Sequence, residues 1–65
     1  MNAYKIFYVE SYAAWFLIFA RTYKAARKEG VKNYGRGMVK GVRLATRKEI
    51  KYFRSIKSEI GTAEE

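Results

Sequence analysis

Between Ile6 and Ala20 the chain reads IFYVESYAAWFLIFA, an apolar run interrupted only by Glu10 and Ser11, and from Tyr4 to Glu29 no proline or glycine breaks it. Within that span Tyr4, Tyr8, Tyr12, Trp15, Phe19 and Tyr23 recur at spacings of 4, 4, 3, 4 and 4, which on a helix places six aromatic rings in one stripe. Ala13, Ala14, Leu17 and Ile18 mix with Glu10, Arg21, Lys24 and Lys28 on the other side. Arg27 and Lys28 followed by Gly30 supply cations for a last turn and a residue for a left-handed cap. The pattern therefore predicts a helix over residues 4–29, roughly 39 Å long at 1.5 Å per residue.

"GVKNYGRG", residues 30–37, is rich in residues that tolerate positive φ and predicts a turn. Beyond it, Met38, Val42, Ala45, Phe53, Ile56 and Ile60 share one helical side, with Val39, Thr46 and Ile50 on its flank. Lys40, Arg43, Arg47, Lys51 and Arg54 follow at spacings of 3, 4, 4 and 3 on another side. A single amphipathic helix over residues 38–60 satisfies both stripes. Thr46-Arg47-Lys48-Glu49 also matches a capping box, so an open alternative starts the helix there and leaves "MVKGVRLA" extended. The preferred fold is all-α, a two-helix hairpin of one domain: an aromatic helix in 1–29, a turn in 30–37, a basic helix in 38–61 and an acidic tail in 62–65.

Sixty-five residues bury too little surface to be comfortably stable alone, and with no Cys and no His there is neither a disulfide nor a conventional zinc site to staple them. The first helix is apolar nearly all round, so a hairpin leaves much of it uncovered, and burial in an oligomer or a membrane is expected. A spanning helix takes about 20 largely apolar residues, more than this run offers, and Glu10 lies inside it. Self-association explains the same residues more simply. The rings of Tyr4, Tyr8, Tyr12, Trp15, Phe19 and Tyr23 would pack between copies, and Glu10 would pair with a cation of a neighbouring subunit.

Charge separates along the chain. Residues 1–20 carry Lys5 and Glu10 and sum to zero; residues 21–57 carry thirteen Lys and Arg against Glu29 and Glu49, a net +11; residues 58–65 carry three Glu, and the whole chain is +8. A sector this basic favours a polyanionic partner. The stripe from Lys40 to Arg54 would be roughly 21 Å long. Duplex DNA displays one phosphate per roughly 1.7 Å of axis, so backbone neutralisation, tolerant of sequence and sensitive to salt, is the expected mode. Arg36, between Gly35 and Gly37, joins that candidate set because small neighbours let backbone approach phosphate. An anionic membrane surface would attract the same stripe. "GRGMVKG" lacks the Gly-Lys-Ser/Thr ending of a P-loop. Without His, Cys or Asp the usual general bases and triads are missing, so no catalytic residue, metal or cofactor is predicted. A chain beginning on Met1 is expected to be an uncleaved translation product.

An apolar sector, Ile6–Ala20, beside a basic one, Arg21–Lys57, resembles the helical coat proteins of filamentous and rod-shaped viruses, most closely the small hairpin coats of rod-shaped archaeal viruses. The resemblance is architectural and carries no motif. It implies a virion subunit present in many copies, joined through the aromatic helix and holding double-stranded DNA on the basic stripe. The alternative is a cationic membrane-active peptide similar to leaderless bacteriocins, membrane-associated or secreted, or a small subunit similar to conjugative pilins.

Overall fold

The computed structural model describes residues 3–56 and 59–63. The order of elements is β1 (Lys5–Ser11), β2 (Trp15–Ala20), α1 (Tyr23–Tyr34), β3 (Val39–Leu44), α2 (Arg47–Ile56) and β4 (Gly61–Thr62). The all-α hairpin is overturned: a four-stranded mixed sheet, ordered β3-β1-β2-β4, lies at the centre with one helix on each face.

The predicted first helix is instead a β-hairpin followed by a shorter helix. "KIFYVES" and "WFLIFA" are dense in β-branched and aromatic residues, which favour a pleated surface. They pair antiparallel from Lys5↔Ala20 to Glu10↔Trp15. Ser11 closes the turn: its backbone N–H donates to the carbonyl of Ala14 (2.7 Å), and its hydroxyl accepts from the N–H groups of Ala13 and Ala14 (3.1 and 2.8 Å). Spacing by four misled the helical reading because four is also an even number. Residues four apart share a face of a strand as well as of a helix, and the one odd step, Tyr12 to Trp15, falls where the chain turns.

The sheet has two apolar faces, so its strands read as continuous apolar runs rather than alternating ones. On one face Phe7, Val9, Ile18 and Ala20 form the main core with Ala25 and Ala26 of α1, together with Val39 and Ala63. Helix α1 is capped by Thr22, whose hydroxyl accepts from the N–H of Ala25 (3.0 Å). It runs through Gly30 and stops at Gly35, which has φ 106°. Gly30 is therefore no cap. It is buried inside the helix, where an added Cβ would lie 2.7 Å from Val9 Cγ1 and 3.0 Å from Val39 Cγ2, and its missing side chain lets α1 settle onto the sheet.

The predicted second helix also divides. "VKGVRL" forms β3, antiparallel to β1, with a bulge between Glu10 and Ser11. Only from Arg47 is the chain helical, so the capping-box alternative describes α2 and the continuous helix over 38–60 does not. Strand β4 runs parallel to β2 on its other side, at Ile18↔Gly61 and Phe19↔Thr62. Strands β2, β3 and β4 all point one way and β1 opposes them; parallel strands need crossovers, which α1 and α2 provide. The expected acidic tail is described only through Ala63, and Glu64 and Glu65 lie outside the described residues.

Candidate nucleic-acid interface

Helix α2 is joined to the sheet by a charged clasp and an aromatic contact. Thr46 donates its backbone N–H to Glu49 Oε1 (2.8 Å), and Glu49 returns its own N–H to Thr46 Oγ1 (3.2 Å), a reciprocal capping box. Arg43, on β3, donates from both Nη atoms to the two oxygens of Glu49 (2.9 and 2.6 Å) and from Nη1 to the carbonyl of Leu44 (3.3 Å). The fork geometry is the strong form of a charge-assisted pair. Its hydrogen bonds hold the Glu49 carboxyl down to about 2, helped by the Thr46 N–H, and Glu49 in turn pushes the Arg43 guanidinium above its ordinary value.

The Arg43 guanidinium also lies 4.1 Å from the ring centroid of Tyr8, and from there a run of rings crosses the sheet. Tyr8 stacks on Trp15 at 5.2 Å and 15°; Trp15 stacks on Tyr52 at 6.3 Å and 21°, and meets Phe53 at 5.4 Å. Burial, followed by the nearby Glu10 charge, raises the Tyr8 phenol above its usual value. Phe53 is buried, whereas Tyr52, at the far end of the run, is 57% exposed.

These contacts sort the expected phosphate ligands. Lys40 and Arg43 do not lie on a helix with the others; they are strand residues held within the chain, Lys40 at 3.9 Å from Glu10 and Arg43 on Glu49. Arg47, Lys51 and Arg54 do share a helical side, and since Phe53 and Glu49 mark the side of α2 that meets the sheet, those three project outward. Their stripe is roughly 10 Å long, about half the length the continuous helix implied. Lys48 belongs to the same exposed face, although it stands outside the 3-4 spacing that picked the others. Arg36 is exposed in the turn between α1 and β3.

The aromatic residues expected to join subunits do not form one surface. Tyr8, Trp15 and Phe19 share the α2 face of the sheet and are half-buried there. Tyr23 begins α1 on the opposite face, edge-on to Phe7 at 4.9 Å. Tyr12 sits in the hairpin turn, 70% exposed, and Tyr4 lies under the Arg21 guanidinium at 5.0 Å. Glu10, expected to reach a neighbouring subunit, has Lys40 of its own chain beside it.

Sequence reasoning missed the second basic surface. Lys24, Arg27, Lys28 and Lys32 are all exposed on α1, while Ala25, Ala26 and Gly30 face the sheet. Mapping charge onto a helix over residues 23–34 would have revealed it; assigning those residues to the end of a long aromatic helix concealed it. An open cleft of about 370 Å³ also lies at the outer edge of β2, between Tyr34 on one face and Phe53 on the other, with Glu59 at its rim. Among the described residues no group of His, Cys, Asp or Glu is arranged to hold a metal ion, and no helix is long and apolar enough to cross a membrane. Known family models, characterised proteins and solved structures include none that this chain matches.

Proposed function

We propose that this chain is a nucleic-acid-binding structural protein that neutralises duplex phosphates with the outer face of α2. The observation that carries the reading is the division of charge in that helix. Its one acid, Glu49, is engaged by Arg43 and turned toward the sheet, so Arg47, Lys48, Lys51 and Arg54 present four cations outward with no acid among them. Cations at helical spacing along roughly 10 Å of axis match the dense charge of duplex DNA, one per roughly 1.7 Å. Such a face positions against backbone and reads no base edges, so binding is tolerant of sequence.

The coat-subunit role is retained only as far as this contact with nucleic acid. The lateral contacts expected of Tyr8 and Trp15 compete with their partners inside the chain, Arg43 and Tyr52, and the helical hairpin behind the resemblance to viral coats is not the fold.

The test is duplex binding measured against salt with the whole chain. About four phosphate contacts predict that log K falls with log salt at a slope of about −3 to −4. Arg47→Glu with Lys51→Glu should weaken binding at low salt at least tenfold on unrelated sequences alike. A protein that ignores duplex DNA at low salt would sink the proposal. Arg43 is unsuitable as a probe, because replacing it opens the clasp on Glu49.

A further inference from the structure

The two basic helix faces point in opposite directions. Helix α1 packs Ala25, Ala26 and Gly30 against the side of the sheet that carries Phe7, Val9 and Ala20. Helix α2 packs Phe53 against Trp15, whose neighbour in the ring run is Tyr8; these residues alternate with Phe7 and Val9 and so lie on the other side. What faces outward is therefore Lys24, Arg27, Lys28 and Lys32 on one side and Arg47, Lys48, Lys51 and Arg54 on the other. Each helix carries four cations and one acid, Glu29 in α1 and Glu49 in α2, for a net +3 apiece. The body that carries them is small: its Cα atoms extend 31 × 28 × 16 Å.

One duplex cannot serve both faces. DNA stays stiff over about 50 nm, many times the 31 Å of this body's longest extent. Folding it around a body this small would cost more than a few surface phosphate contacts return. We infer that one copy of this chain bridges two separate DNA duplexes, one on α1 and one on α2, and so draws double-stranded DNA together. The inference rests on the proposed phosphate-binding reading of α2 and extends it to α1. It also gives the strand order a purpose: both crossovers start or end on β3, yet they pass over opposite faces of the sheet and hold the two cationic surfaces back to back.

The experiment immobilises one duplex on beads and asks whether the full-length chain captures a second, fluorescent duplex of unrelated sequence. Lys24→Glu with Lys28→Glu reverses charge on α1; Arg47→Glu with Lys51→Glu reverses it on α2; all four positions are exposed, and circular dichroism checks that each variant folds. Wild type should capture the second duplex; the α1 variant should keep its grip on the first duplex at low salt, the α2 variant should hold it at least tenfold more weakly, and with the first duplex saturated by excess protein capture should fall at least tenfold in both. Mixing the two variants should not restore capture. Wild type that binds one duplex without capturing a second overturns bridging and leaves the proposed function standing, whereas no binding at all removes the proposed function first. Capture that persists in both variants also overturns the inference, since it would then come from association between copies.

Discussion

Helices α1 and α2 carry similar charge on their outer sides but meet the sheet in different ways. Helix α1 presents small residues, Ala25, Ala26 and Gly30, and lies close against Phe7, Val9 and Val39, with Tyr34 against Phe16 at its far end. Helix α2 reaches its face through one buried ring, Phe53, and is tied at its start by Thr46, Glu49 and Arg43. Close packing responds mainly to volume, because interiors have few gaps to absorb an added group. A charged clasp responds to proton and salt concentration. The two sides of the sheet should therefore fail under different insults, although each supports a basic surface.

The largest effect is expected under α1. Gly30→Leu drives a side chain into Val9 and Val39, where even a Cβ is too close, and should cost about 3 kcal/mol, the upper end of the usual overpacking penalty. Urea unfolding should show a lower midpoint for the whole domain; an unchanged midpoint would mean that α1 is not pressed onto the sheet. Next comes Phe53→Ala, expected to cost about 2 kcal/mol, below the 3–5 typical of an enclosed core phenylalanine because α2 rests on the sheet largely through this ring. Amide exchange should speed up in α2 and leave α1 and the β1–β2 hairpin protected. If both helices exchange together, the contrast between them is broken.

A smaller effect separates the clasp from the packing. Glu49→Gln removes the charge that Arg43 grips and should cost about 1 kcal/mol, the usual value of a helix cap. Acid should do the same without a mutation. The Glu49 carboxyl is depressed in the folded chain to about 2 from its ordinary 4.5, so its contribution is complete above the ordinary value and is lost as pH falls toward 2. Solvent screening moderates the size of this contribution, since the pair is partly exposed. Helical signal from α2 should decline over that window while α1, whose contacts with the sheet are apolar, keeps its own; simultaneous loss would contradict the distinction. The smallest test is Lys51→Gln, which should reduce the salt slope of duplex binding by about 1 without altering stability.

What could be read in advance follows from which signals have one meaning. The capping box from Thr46 to Glu49 has one, and it marked the start of α2. Arg47, Lys51 and Arg54 share a face in either reading of the second half, so that part of the candidate surface was legible. Tyr4, Tyr8 and Tyr12 carry a spacing that fits a helix and a strand equally, and the residues that distinguish them, Ile6, Phe7 and Val9 in β1 or Phe16, Ile18 and Phe19 in β2, favour the strand by bulk and branching. Gly30 illustrates another limit. A glycine following Arg27 and Lys28 looks like a cap, and only the approach of Val9 and Val39, distant in sequence, makes it an interior contact. Lys40 and Arg43 were separated from the other cations for the same reason, because β1 recruits their segment as a neighbouring strand.

The strand order also sets a timetable. The middle pair, β1 and β2, is a local hairpin complete by Ala20, and hairpins form in roughly 1–10 μs. Both outer strands and both helices come from the chain that follows. During synthesis the most apolar part of the molecule is therefore made first and stands bare on two sides until α1, and later α2, emerges to cover it. A ribosome pausing soon after Ala20 would hold a greasy ribbon in the open, and the nascent chain's protection from aggregation depends on how quickly its basic remainder is delivered.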